Sequence, residues 1–342
     1  MVILTRFKGK IRGKMEGFTG IMSTMQTEGQ IFAVGEIPQY RQFLERTSFG
    51  SLMKRAANLL TQRLTAGLEP YDLTASQWVV LACLWRQDGQ PVTYISRQVQ
   101  QIGGTISGVL DRMEKRKLVR RKRDASDKRV YRVFLTEKGA NLINELPQVA
   151  RSLWDTALEK ITPEEKEQFS DYINHCLKNL IPGYTCSLPE CKNELSPNLS
   201  KILPPKSLGY RMKLLSMVMT RVFNERLEPH NVTNTQWVVL CRLWLAEGIT
   251  TMEIGKYVDQ VGGTLTGLLE RMEDRKLIRR DVDQQDKRRI LVYLTYEGRQ
   301  LYYVLPEITL AVMGETYAGL DQEQVDFMTE VLRKIVDALD IG

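Results

Sequence analysis

"GGTISGVLDRMEKRKLVRR", residues 103–121, returns as "GGTLTGLLERMEDRKLIRR", residues 262–280. The offset, 159 residues from 103 to 262, also pairs Pro70 with Pro229, Thr74 with Thr233, Trp78 with Trp237 and Trp85 with Trp244. Asp127 and Asp286, Gly139 and Gly298, and Pro147 and Pro306 follow the same rule. No gap is needed from Leu52 to Leu180. Solenoid units run to about 20–50 residues, so this period is too long for a solenoid. A unit of roughly 130 residues is large enough to bury a core of its own. The chain is therefore one domain written twice.

Of the 342 residues, 43% are hydrophobic and 26% charged, a balance that fits a globular protein and excludes a disordered one. The net charge of +7 favours an anionic partner, and by itself suits nucleic acid and an anionic membrane surface equally. No apolar run approaches the roughly 18 residues of a membrane span. The N-terminal cations Arg6, Lys8, Lys10, Arg12 and Lys14 are followed by no apolar segment of the signal-peptide kind. Cysteines number five, an odd count, and Cys83 and Cys241 lack counterparts in the other copy. Both facts argue against a disulfide framework and for a reducing cytoplasm. With two histidines, His175 and His230, no nucleophile–base–orienter set is recognisable, so an enzyme is not expected.

Residues 1–36 read as a flexible basic arm, 37–180 as the first domain, 181–207 as a Pro-, Ser- and Asn-rich linker, and 208–342 as the second domain. Within a copy, "SLMKRAANLLTQRL" has helical apolar spacing and is followed by Pro70. "TASQWVVLACLW" is a helix with Thr74 at its N-cap, and "VTYISRQVQQ" a short helix before the Gly103-Gly104 turn. "TISGVLDRMEKRKL" turns Ile106, Val109, Leu110 and Met113 inward. "VRRKR" and "VYRVFL" are strands joined by the polar turn "DASDK". "TEKGANLINEL" starts a helix that Pro147 interrupts, and Thr162, Pro163 and Glu165 form a capping box for the last helix, matched by Asp321 and Gln324. The fold class expected is mainly α with small β-hairpin wings, as tandem duplicated winged helix-turn-helix domains.

Four motifs occur in order in the first copy: Leu73-Thr74-x-x-Gln77-Trp78, Asp111-Arg112-Met113-Glu114, Asp124-x-x-Asp127-x-Arg129 and Leu135-Thr136-x-x-Gly139. In combination they resemble the MarR family of bacterial transcription regulators, with Val232 and Glu270 as conservative replacements in the second copy. The resemblance implies homodimeric relatives whose terminal helices form the interface, each winged domain reading one half-site. The two copies here would be two subunits fused into a monomeric, intramolecular pseudo-dimer. Half-sites would lie about 10 base pairs apart, and fusion would hold the halves at an effective concentration on the order of mM. The expected partner is double-stranded DNA, the expected role a cytoplasmic, nucleoid-associated regulator that represses until a signal releases it.

For DNA contact, the residues expected in the major groove are Thr105, Ser107 and Arg112, with Thr264, Thr266 and Arg271. The backbone amides of Gly103 and Gly104 suit a phosphate or base edge; Thr105 equally suits a simple helix cap. The basic runs Arg120, Arg121, Lys122, Arg123 and Arg279, Arg280 lead into wings carrying Lys128, Arg129 and Lys287, Arg288. By the resemblance, Arg129 and Arg288 enter the minor groove, each held by an ion pair from the aspartate two residues earlier. The bland reading of the wings is a solvated hairpin. Residues 112–132 hold eleven Lys/Arg against three Asp/Glu, and residues 271–291 eight against five, so the first wing is expected to dominate affinity.

The sequence departs from the family pattern twice in each copy. Gly108 and Gly267 stand in the helix interior where relatives are often basic, through close approach either to DNA or to another helix. Lys117 and Lys276 stand where relatives have glycine. Trp78, Trp85, Trp237 and Trp244 fit either core or the wall of a pocket for a small aromatic effector of the kind the resemblance implies. Zinc at His175, Cys176, Cys186 and Cys191 matches no standard spacing and is not expected. Two further functions stay open: a ligand-sensing or protein-interaction module that lost specific DNA binding, and a weakly specific architectural DNA binder.

Overall fold

A computed structural model describes residues 48–99, 105–184, 207–258 and 263–340. The expected basic arm, most of the linker, Gly103, Gly104, Cys186 and Cys191 lie outside them. The first copy comprises α1 (Ser48–Leu68), α2 (Ala75–Arg86), β1 (Gln90–Pro91), α3 (Val92–Val99), α4 (Ile106–Lys115), β2 (Val119–Arg123), β3 (Tyr131–Leu135), α5 (Glu137–Asn141), α6 (Leu146–Ala157) and α7 (Pro163–Leu180). The second repeats it as α8 (Leu208–Leu227), α9 (Asn234–Leu245), β4 (Ile249–Thr250), α10 (Thr251–Val258), α11 (Gly263–Asp274), β5 (Ile278–Val282), β6 (Ile290–Leu294), α12 (Tyr296–Gln300), α13 (Leu305–Thr316) and α14 (Gln322–Asp340).

Caps set several of these boundaries. Thr74 accepts from the Gln77 amide while the Gln77 side chain accepts from the Thr74 amide, and Thr233 and Gln236 do the same. Thr162 with Glu165, and Asp321 with Gln324, close reciprocal boxes at α7 and α14. Pro147 does not interrupt a helix: it occupies the first turn of α6, after α5 and a 3-10 turn. A proline there forfeits no helical hydrogen bond, because a first-turn amide has no intrahelical acceptor. Each sheet has a third strand, order β1-β3-β2 and β4-β6-β5, whose two-residue edge carries too little alternation to be seen in the sequence.

The chain divides into two compact units. One takes Thr47–Val222 and Val312–Gly342, the other Phe223–Ala311. In the larger unit the first winged domain has its own core, with Trp85, Leu81, Leu84, Ile95, Leu110, Met113 and Val133 fully buried. Beside it, terminal helices of both copies share a second core: Phe49 and Met53 of α1, Phe169, Ile173 and Leu177 of α7, Met212 and Leu215 of α8, and Met328, Leu332 and Ile335 of α14. Polar contacts ring it. Arg55 pairs with Asp340, Lys334 Nζ lies 2.8 Å from Glu165, and Arg63 Nη2 donates to the Leu339 carbonyl at 2.7 Å. The expected pairing of terminal helices is thus made within one chain. The smaller unit holds the second winged domain around Trp237, Leu240, Trp244, Ile254, Leu268, Met272 and Val292.

Two positions explain a motif and a departure. A Cβ on Gly139 would collide with the Leu118 carbonyl oxygen, and one on Gly298 with that of Leu277, so these glycines are steric requirements. Lys117 and Lys276 both adopt φ 55°, the left-handed region where glycine has no Cβ penalty. Substituting Lys117→Gly or Lys276→Gly should therefore raise stability by about 1 kcal/mol, whereas Gly139→Ala should lower it; urea denaturation of each variant measures both.

Candidate nucleic-acid interface

α4 and α11 are amphipathic. Val109, Leu110 and Met113 of α4, and Leu265, Leu268, Leu269 and Met272 of α11, are buried, while Ile106 is half-buried. The opposite faces present Thr105, Ser107 and Arg112, and Thr264, Thr266 and Arg271, all exposed. Thr105 stands at the N-cap of α4, but its side chain makes no capping bond.

The basic runs are divided in their use. Arg121 is bound into the fold: its guanidinium reaches Glu114 at 2.5 Å and Asp111 at 2.6 Å, and its amide donates to Glu114 Oε1 at 2.6 Å. Arg280 repeats this on Glu273, with Nη2 at 2.6 Å and its amide at 3.0 Å. In both copies Nε and Nη2 of the guanidinium share the glutamate Oε2 while Oε1 takes the backbone amide, and this charge-assisted set fixes the angle between the recognition helix and the first wing strand. The glutamate closing Asp-Arg-x-Glu is thus a positioning residue; its sequence signal was an acid seven residues before an arginine in both copies. Arg116 likewise ties the end of α4 to the turn before α2 through the Tyr71 and Asp72 carbonyls, and Arg275 to that of Asn231.

The remaining cations are on the surface. Arg120, Lys122, Arg123, Lys128 and Arg129 are exposed in the first wing, and Arg279, Lys287 and Arg288 in the second. Asp127 and Asp286 accept from the amides of Arg129 (2.9 Å) and Arg288 (3.0 Å) rather than pairing with their side chains. Each aspartate therefore shapes the turn and leaves the guanidinium outward.

The two wings differ in chemistry. At the last ladder position the first pairs Arg123 with Tyr131, the guanidinium 5.6 Å from the ring centroid and its Nε 3.1 Å from the phenol oxygen. The second pairs Val282 with Ile290, both exposed. Where the first wing has Lys122, the second has Asp281, which ion-pairs with Arg279. The tip of the first wing is also more tightly built. Asp124 accepts from the Ser126 hydroxyl (2.5 Å), from the amides of Ser126 (2.8 Å) and Asp127 (3.0 Å), and from Arg132. These bonds, the Ser126 hydroxyl foremost, hold its carboxyl well below the usual range.

The tryptophans are core. Trp78 and Trp85 meet edge to face at 5.7 Å, as do Trp237 and Trp244 at 5.5 Å. The indole N–H groups of Trp85 and Trp244 donate to the Gly139 and Gly298 carbonyls at 3.0 and 3.1 Å. Of the zinc candidates, His175 bonds the Ala318 carbonyl at 2.7 Å, and burial pushes the Cys176 thiol up to about 12. Among the described residues no cluster of three or more His, Cys, Asp or Glu is placed to hold a metal, and no helix is long and apolar enough to cross a membrane.

Comparison with known proteins gives the same duplication. The MarR family profile matches residues 73–131 and again 232–290. The chain is 36% identical over 104 residues to the HTH-type transcriptional regulator TtmR of Methylorubrum extorquens, covering 30% of this chain and 53% of that protein. It is 32% identical over 111 residues to the organic hydroperoxide resistance transcriptional regulator of Bacillus subtilis, covering 32% of this chain and 76% of the relative. Similar solved structures include a mutant MarR from E. coli complexed with operator DNA (28% identity, 41% of this chain, 99% of that one, TM-score 0.37). Another is the S. aureus MepR–DNA complex (29% identity, 38% and 97%, TM-score 0.37).

The Asp124 network yields a pH test. A carboxyl with a depressed folded pKa stabilises fully above its unfolded value, about 3.9, and progressively less as pH falls below it. Asp124→Asn should speed amide exchange at Ser126 and Asp127 at pH 7, and the difference from the wild type should shrink below about pH 4. Hydrogen exchange across pH 3–7 checks it; a gap independent of pH would contradict the assignment.

Proposed function

The chain belongs to the MarR family, and we propose that it is a DNA-binding transcriptional regulator, acting as a repressor, that reads two half-sites with one polypeptide. The observation carrying this reading is the repetition, in both winged domains, of an exposed Thr/Ser/Arg face on a recognition helix tied by a Glu–Arg pair to a hairpin with outward cations. Such an arrangement offers hydroxyls and a guanidinium to base edges and further cations to phosphates. It offers no set of catalytic groups. The shared core of terminal helices supports a chain that acts as its own dimer. A small aromatic effector is part of the proposal only as the releasing signal. The buried tryptophans are not offered as its binding site.

The two wings are proposed to contribute unequally. Each neutralised phosphate adds about 0.9 to the slope of log affinity against log salt. Replacing Lys122 and Arg123 by alanine should reduce the slope by about 2 and weaken binding more than replacing Lys287 and Arg288; the opposite order would overturn the asymmetry.

The decisive experiment titrates the full chain onto DNA from upstream of its own coding sequence, with footprinting and competitor DNA. One chain protecting two half-sites about one helical turn apart is the expected result. No binding at moderate salt would replace this reading with a ligand or protein-interaction module. Protection lost to any competitor would replace it with an architectural binder.

A further inference from the structure

Gly108 and Gly267 occupy the interiors of α4 and α11, where glycine costs about 1 kcal/mol relative to alanine. Both copies carry it. Close packing against a neighbouring helix would account for such a residue, but among the described residues no other element is near. Among the described residues, a Cβ on Gly108 would just touch Thr105 Oγ1 at 3.4 Å and Arg112 Nη1 at 3.5 Å, and one on Gly267 would press slightly on Arg271 Nη1 at 3.3 Å, so a longer side chain at either position would displace the guanidinium. Gly139 and Gly298, by contrast, are filled by a backbone carbonyl. In both recognition helices, then, the group resting against the bare backbone is the guanidinium of the arginine one turn later.

Helical side chains lean toward the N-terminus, so a residue covers the turn before its own Cα. The direction matters because the N-terminal part of a recognition helix is the part that meets base edges. Arg112 and Arg271 are exposed, and among the described residues no ion pair engages either guanidinium. Resting Arg112 and Arg271 against the glycine holds a planar, two-pronged donor on the exposed face of each helix, in the first copy beside Thr105. Bidentate donation to the O6 and N7 of guanine requires a donor of that shape.

We infer that Gly108 and Gly267 are specificity-determining positions: the clearing each leaves lets Arg112 or Arg271 fold back along the recognition helix and read one guanine in each half-site. The inference rests on the DNA-binding reading above. Because glycine and arginine keep the same spacing in both copies, the guanine occupies equivalent positions in the two half-sites.

The test uses the full chain and a duplex recovered from randomised DNA by repeated binding, with each base pair then substituted in turn. Two double variants, G108A/G267A and G108L/G267L, introduce better helix formers, so both should melt no lower than the wild type. Affinity for an unrelated duplex should stay within about 2-fold, because the phosphate contacts are untouched. Discrimination at one G·C pair per half-site should change little in the alanine variant, whose Cβ only touches the guanidinium, and fall by roughly 10-fold or more in the leucine variant. R112K/R271K keeps the charge and loses the fork, and should lose discrimination at the same pair. Full discrimination in the leucine variant, or an equal loss on specific and unrelated duplexes, would overturn the inference while leaving the DNA-binding reading in place. A wild-type chain that prefers no duplex would overturn both.

Discussion

Everything in the larger unit depends on burying the terminal helices. α1, α7, α8 and α14 each expose an apolar stripe that no single copy covers, and Phe49, Phe169, Ile173, Met212, Met328 and Leu332 meet in one core drawn from both repeats. Apolar burial is non-directional and contributes about 25 cal/mol per Å², so it brings the helices together without selecting which ends meet. Orientation comes from the polar contacts at the margin, Arg55 with Asp340, Lys334 with Glu165 and Arg63 with the Leu339 carbonyl. Equivalent positions in the other copy carry Leu214, Ile181 and Val222 in place of Arg55, Asp340 and Arg63. The pairing is therefore between unlike partners, a specialisation open to a fused chain and closed to a symmetric homodimer.

A second constraint acts inside each winged domain. The recognition helix packs through a narrow apolar face and is clamped at its C-terminal end by the Glu114–Arg121 or Glu273–Arg280 pair. The left-handed turn at Lys117 or Lys276 and the close approach of Gly139 or Gly298 to the preceding carbonyl complete the join. Conformational freedom is thereby removed from the elements that carry the exposed hydroxyls and cations, so the ordering cost is met on folding rather than on binding. What remains outward is a small set of side chains held on rigid supports.

The copies have diverged where the fold tolerates it. Buried positions keep matching residues, such as Trp85 and Trp244 or Val133 and Val292. The outer ends of the wings do not: Arg123 stacked on Tyr131 in one copy is Val282 beside Ile290 in the other. Surface exchanges of this kind cost little in stability, so the wing is free to change its charge while its ladder stays intact.

The duplication, the helix order, the capping boxes and the amphipathic recognition helices were legible in the sequence, because each depends on local spacing or local hydrogen bonding. So were the exposed Thr, Ser and Arg positions, which follow from the periodicity of the buried face. Tertiary structure decided which cations are paired: Arg120 is exposed, whereas its neighbour Arg121 meets Glu114 and Asp111, and the repeated seven-residue spacing of acid and arginine was the one trace of this in the sequence. It alone placed Pro147 at a helix start, brought a two-residue third strand against each wing, and set the indole N–H of Trp85 on the Gly139 carbonyl. It also gave the mid-helix glycines a context, by showing that among the described residues their neighbours are side chains of the same exposed face. The physical division is one of range. Periodicity and caps are written within a few residues, whereas the use of a charge depends on groups that folding brings to it.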